Sequence, residues 1–186
     1  MRLAIFAATC FAALWPSCGQ AQTVLMRDVT IQKVPQAGTL EGCSVAFDVG
    51  YQDHTHRQGL PSVVSGSLTW YLQRQKTWAT LRVVGQDISA AMVPIGHFLI
   101  TNAFIDVDTS TYLADEQSTC EHPQGFCAVY GTEKAVRLMS SAMPAFIVAF
   151  NRNATGMDIR LPVVMPEPQL KEMAECMGAL IARTKP

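Results

Sequence analysis

The chain has 186 residues, with 14 basic, 15 acidic and four histidine side chains, and a formal net charge of −1. So even a balance excludes a strongly basic nucleic-acid binder, and no nucleic-acid partner is expected. At 49% hydrophobic and 16% charged the chain is too apolar to be disordered, and its length suits a single domain.

Arg2 is followed by an uncharged, mostly apolar run from Leu3 to Trp15, which Pro16 ends. Gly19-Gln20-Ala21 then places small residues where a signal peptidase reads them. This is the layout of a secretory signal over residues 1–21. The run is shorter than the roughly 20 apolar residues of a membrane span. Lipid attachment at Cys18 is the variant reading, with Trp15 standing where such processing favours a Leu-like residue. Removing 21 of 186 residues leaves 165, with 13 basic residues against 15 acidic once Arg2 is gone. Four cysteines remain: Cys43, Cys120, Cys127 and Cys176. An even number in an exported chain points to two disulfides. No later apolar run is long enough to span a membrane.

From residue 22 to 186 the pattern predicts one β-rich domain. Thr23–Val34 is a first strand, broken by Pro35-Gln36-Ala37-Gly38. Cys43–Tyr51 alternates, with Val45, Phe47, Val49 and Tyr51 on one face. Gln52–Pro61 is a loop. Val63–Leu72 and Thr77–Val84 form a hairpin across Arg74-Gln75-Lys76. Gly85–Gly96 is ambiguous, and Pro94 argues against a central strand there. His97–Val107 is a long strand, Thr109–Leu113 a short one, and Phe126–Tyr130 another. Glu133–Ser141 is a short helix with Val136, Met139 and Met143 at helical spacing, stopped by Pro144. Ala145–Asn151 and Met157–Val164 form a hairpin around Asn153-Ala154-Thr155-Gly156, which also holds a glycosylation acceptor pattern. Pro166-Glu167-Pro168 opens a C-terminal helix over about 168–184, with Leu170, Met173, Met177, Leu180 and Ile181 on one stripe and Cys176 at its edge. The sum is a mainly β fold: one compact sandwich or barrel with a C-terminal helix, stapled by two disulfides.

Cys120 and Cys127 flank Glu121-His122-Pro123-Gln124-Gly125-Phe126, whose Pro and Gly mark a turn. These two are expected to pair, leaving Cys43 to join Cys176. The rival is a zinc site using His122, but the six-residue gap is wider than usual for zinc ligands.

Three groups could carry function. His54 and His56 in Asp53-His54-Thr55-His56 would share a face if extended, as a copper or zinc pair requires; a solvated loop is the plainer reading. Asp106 and Asp108 would share a strand face as paired carboxylates, or sit in a solvated turn. Trp70, Tyr71 and Trp78 build either a binding patch or part of the core. The Met pairs Met139/Met143 and Met173/Met177 are core filler before they are a soft-metal site. No Gly-x-Ser-x-Gly, P-loop, Gly-x-Gly-x-x-Gly or His-Glu-x-x-His occurs.

Ordered motifs run through the second half: Leu81-Arg82-Val83-Val84, Cys120…Gly125-Phe126-Cys127-Ala128, Phe146-Ile147-Val148-Ala149-Phe150, Gly156…Ile159-Arg160-Leu161-Pro162-Val163 and Gly178-Ala179-Leu180. Over about residues 78–182 the chain resembles the invasion-associated locus B family of exported bacterial proteins. It departs from that pattern in the wider Cys120–Cys127 gap, in Phe126 between Gly and Cys, and in Cys43 and Cys176. The resemblance implies a periplasmic or surface β-sandwich tied to host-cell contact, with no catalytic residues to carry over. The expected function is therefore non-enzymatic binding, with no cofactor, to a protein or envelope component not identified by sequence. The alternatives are a periplasmic copper or zinc binder using His54 and His56, and an enzyme whose site assembles only in three dimensions.

Overall fold

The computed structural model describes residues 22–36, 39–73, 76–118, 120–152 and 158–183. The signal segment with Cys10 and Cys18, the Arg74-Gln75 turn and the Asn153 acceptor pattern lie outside the described residues. In chain order the elements are β1 (Thr23–Gln36), β2 (Thr39–Asp53), β3 (Leu60–Gln73), β4 (Lys76–Ile88), β5 (Pro94–Phe98), β6 (Ile100–Val107), β7 (Ser110–Tyr112), β8 (Glu116–Ser118), β9 (Phe126–Tyr130), α1 (Thr132–Ser141), β10 (Ala145–Arg152), β11 (Asp158–Val164) and α2 (Glu167–Ala182).

The strands form two sheets. A seven-stranded sheet runs β1-β2-β3-β4-β9-β8, with β5 also paired to β4; a four-stranded sheet runs β11-β10-β6-β7. Neither closes on itself, so the sandwich alternative holds and the barrel does not. The large sheet is an antiparallel meander of long hairpins. Its alternation is strict: Val45, Phe47, Val49 and Tyr51 of β2 face Val64, Leu68 and Trp70 of β3 and Leu81 and Val83 of β4 on one buried side. The small sheet lies over that side, with β6 near β4 and β9, and β11 near β1 and β2. Phe47 meets Phe146 edge-on at 6.0 Å across the layers. The helices cover the rest of the inner face: α1 packs on β4 and β9, α2 on β1 and β2.

The expected strand His97–Val107 is in fact two. β5 pairs with β4 in the large sheet, and β6 pairs with β10 in the small one. Exposed Leu99 separates buried Phe98 from buried Ile100, so the chain changes sheets there. Phe98 pins the change: its ring occupies the space above Gly85, where a Cβ would lie 2.1 Å from ring carbons. β5 begins at Pro94 on the same edge of β4 that β9 occupies further along, the edge position a proline tolerates. Having left at Phe98, the chain returns to that edge at Phe126. Ile100 N–H donates to Gln124 C=O at 3.0 Å and closes the seam.

The buried face of α1 is shifted from the expected one, and that of α2 matches it except at Ile181. In α1 the buried residues are Ala135 and Leu138, while Val136 is exposed. In α2 they are Met173, Cys176, Met177 and Leu180, with Ile181 exposed. Cys176 is central to that stripe, not at its edge, because it is bonded to Cys43 on the inner face of β2. The second bridge joins Cys120 to Cys127, as the turn residues between them suggest. β8 escaped sequence reasoning: Glu116, Gln117 and Ser118 are all polar and exposed, so no apolar alternation marks it.

Candidate functional site

The outer face of the large sheet carries two of the three aromatic residues of the β3–β4 hairpin. Alternation along β3 sends Trp70 inward, where it is wholly buried, and Tyr71 outward. Trp78 of β4 stands directly opposite Tyr71 in the register. Their rings stack at 5.1 Å with planes 10° apart. The neighbour on β2 is Gly42, where a Cβ would lie 3.0 Å from the Tyr71 ring, so only glycine leaves room for that ring. The next row of the same face is hydroxylic: Ser44, Thr69 and Thr80 lie side by side, and Ser44 Oγ and Thr69 Oγ1 share a 2.8 Å hydrogen bond. The structure thus divides the expected trio. Trp70 is core, while Tyr71 and Trp78 form a half-buried stack beside a polar row.

A second group lies inside the opposite end of the sandwich. Asp53, Ser62, Asp87 and Arg152 all occupy inward register positions, at the ends of β2, β3, β4 and β10. Arg152 crosses from the small sheet. It donates from Nη1 to Asp53 Oδ2 at 2.6 Å and from Nη2 to Asp87 Oδ2 at 2.7 Å. Its guanidinium rests 4.0 Å from the centre of the Phe98 ring. Asp53 Oδ1 accepts the backbone N–H groups of Thr55 at 3.1 Å and His56 at 2.8 Å. Ser62 donates to Asp87 Oδ1 at 2.9 Å. Arg57 sits 3.5 Å from the same carboxylate and donates to the carbonyls of Pro61 and Ile88. Two carboxylates and two guanidiniums therefore balance, and each carboxylate oxygen named is engaged. Such a pairing joins the small sheet to the large one at this end of the sandwich. Burial first, and the Asp53 carboxylate next, push the Tyr51 phenol well above its ordinary value.

His54 and His56 lie in the turn after β2, not in an extended strand, so the shared-face geometry does not arise. The turn is held by Asp53 and by Gln22, whose Oε1 accepts His54 N–H at 3.3 Å and whose Nε2 donates to Thr55 Oγ1 at 3.1 Å. Asp106 is buried and committed: Thr111 Oγ1 donates to it at 2.6 Å, and Arg160 pairs with its other oxygen. Asp108 is exposed in the β6–β7 turn at φ 51°, so it does not share a strand face with Asp106. Among the described residues no group of three or more His, Cys, Asp or Glu side chains is placed to hold a metal ion.

Sequence reasoning missed the buried ion network and one contact between histidines. His97 of β5 and His122 of the Cys120–Cys127 loop touch, with ring centres 4.1 Å apart. The network did leave a signal, since Asp53, Asp87 and Arg152 extend the inward parity of three strands. The histidine contact left none, because 25 residues separate the pair and the seam between β5 and β9 creates it. No helix of the described residues is long and apolar enough to cross a membrane. No family model matches the chain, and neither a curated protein nor a solved structure matches it.

Proposed function

We propose that the protein is an exported, non-enzymatic β-sandwich that binds an envelope or host-surface component through the outer face of its large sheet. The Tyr71–Trp78 stack carries this reading. Tyrosine and tryptophan are the residues most often found as anchors in binding surfaces, because they bring large rigid area at low entropic cost. Here the stack is fixed by its register and by Gly42, and the buried hydroxyl row beside it, with Ser44 bonded to Thr69, backs it from the next register position. Two disulfides support an oxidising compartment. The ordered motifs from Leu81 to Leu180 support kinship with the invasion-associated locus B proteins and hence a role at the cell surface.

The test is co-sedimentation with an isolated bacterial envelope fraction. Tyr71→Ala plus Trp78→Ala is the informative variant, because truncating Trp70 would open the core instead. Wild-type protein is expected to pellet with the envelope, and the double variant to lose at least about tenfold in affinity, as two anchors each worth more than about 1 kcal/mol require. Equal recovery of both proteins would refute the assignment.

A further inference from the structure

We propose that His97 and His122 form a surface site for a divalent transition-metal ion, Cu2+ in first place and Zn2+ in second. This goes beyond the binding face described above, and it is separate from His54 and His56.

Strand pairing builds the site. β4 is long enough to pair with two strands along one edge, β9 over Ala79–Val83 and β5 over Gly85–Ile88. The loop closed by Cys120–Cys127 enters β9 at the point where β5 ends. That junction is tight. A Cβ on Gly125 would lie 3.1 Å from Val83 O and from a Val84 methyl. His122 therefore projects beside His97, which stands opposite Gln86 on the outer face. The rings are 4.1 Å apart and tilted by 49°. His97 is exposed and His122 half-buried, so an ion reaches them from solvent.

Two imidazoles in contact are poorly arranged for each other when charged and well arranged for a shared cation when neutral. Imidazole suits copper and zinc, and copper leads in affinity among divalent first-row metals. A copper ion bonded to two nitrogens at about 2 Å, with roughly a right angle between them, needs ring centres close to the separation seen here. The bridge Cys120–Cys127 limits the loop's freedom and so lowers the entropic cost of bringing His122 to the ion.

One existing bond has to change. His122 Nδ1 accepts the Gln124 N–H at 3.2 Å, which places the proton of the neutral ring on Nε2. Binding through Nε2 takes the other neutral tautomer: the proton leaves Nε2 for solvent and Nδ1 takes one up from solvent, so the ring stays neutral and the long Gln124 contact is given up to water. Gln124 is exposed, so water replaces the ring as acceptor. The nearby charges offset each other, since Arg82 lies 3.6 Å from Glu121. Water completes the coordination shell.

Calorimetry with Cu2+ and then Zn2+, on protein carrying both disulfides, tests the site. One Cu2+ per chain is expected. His97→Ala and His122→Ala should each weaken it at least about tenfold, since removing a ligand costs no less than removing a group that merely orients one. His54→Ala plus His56→Ala should leave it unchanged. Electron paramagnetic resonance of the wild-type Cu2+ complex should show two imidazole nitrogens, a readout that needs no variant to fold. No binding, fewer than two imidazole nitrogens, or binding lost only with His54 and His56 would overturn the proposal.

Discussion

Arg152 occupies an inward position between two sheets whose other inward residues are mostly apolar, and it survives there because Asp53, Asp87, Ser62 and the Phe98 ring meet it. Phe146, Val148 and Phe150 precede it on the same face of β10. Removing one partner of a buried pair leaves the other charge uncompensated. Arg152→Ala is therefore expected to cost about 3–5 kcal/mol in urea unfolding followed by circular dichroism. Replacing Arg152, Asp53 and Asp87 together with apolar residues of similar size should recover much of that loss; a cost equal to the sum of the single changes would contradict the clasp. Tyr130 makes a different case. Its hydroxyl is buried with no hydrogen-bond partner among the described residues, and burial pushes its proton loss well above the ordinary value of 10.0. The phenol raised in this way contributes stability that is whole below pH 10 and is lost as the pH climbs beyond it. Tyr130→Phe should thus be neutral or mildly stabilising at pH 7 and should flatten the alkaline limb of a stability–pH curve. A steep destabilisation at pH 7 would show a bond to that hydroxyl. The outward row was less legible than the inward one. Alternation could not say which of Trp70 and Tyr71 faced the core until the register of β3 against β2 was known.

At the scale of elements, the two disulfides do different work. Cys43–Cys176 closes a loop of 133 residues and ties α2 to the inner face of β2. Cys120–Cys127 spans only seven. Loop entropy gives about 5 kcal/mol for the first, as an upper figure, and about 2.4 for the second. Cys43→Ser plus Cys176→Ser should accordingly lower the denaturation midpoint more than Cys120→Ser plus Cys127→Ser; the reverse order would mean that α2 docks without its bridge. The start of α1 has its own support. Asp115, from outside the helix, accepts Gly131 N–H at 2.7 Å and pairs with Lys134. The Lys134 bond first, and the Gly131 bond next, hold the Asp115 carboxyl below its ordinary value of 3.8. A depressed carboxyl stabilises above pH 3.8 and loses that contribution as pH falls below it. Asp115→Asn should remove this part of the acid dependence, measurable as a smaller loss of α1 amide protection between pH 5 and pH 3. Cys43–Tyr51, the 145–164 hairpin and the C-terminal helix were plain from period and punctuation. β8 and the division at Leu99 were not, because pairing partners far along the chain decide them.

For the whole molecule, the layers put two chemistries on one surface. The Tyr71–Trp78 stack and the His97–His122 contact both face outward from the large sheet. Trp78 and Gln86, the partner of His97, are eight positions apart on β4, about 26 Å along the strand. The inner surface is consumed by the core, by the helices and by the ion clasp. The mainly β fold, the two bridges and the placement of the C-terminal helix could all be inferred from the chain itself. The proposed binding face was legible only in part: Trp70, Tyr71 and Trp78 stood out as a patch or a piece of core, and only the pairing of β3 with β2 and β4 divides them. Hydroxyl-radical footprinting of the protein in an envelope suspension tests the binding face most directly. The expected result is protection of Tyr71 and Trp78 on adding envelope, with Trp70 silent throughout and Met92, exposed on the β4–β5 connection, still oxidised. Equal oxidation of Tyr71 and Trp78 with and without envelope would contradict it.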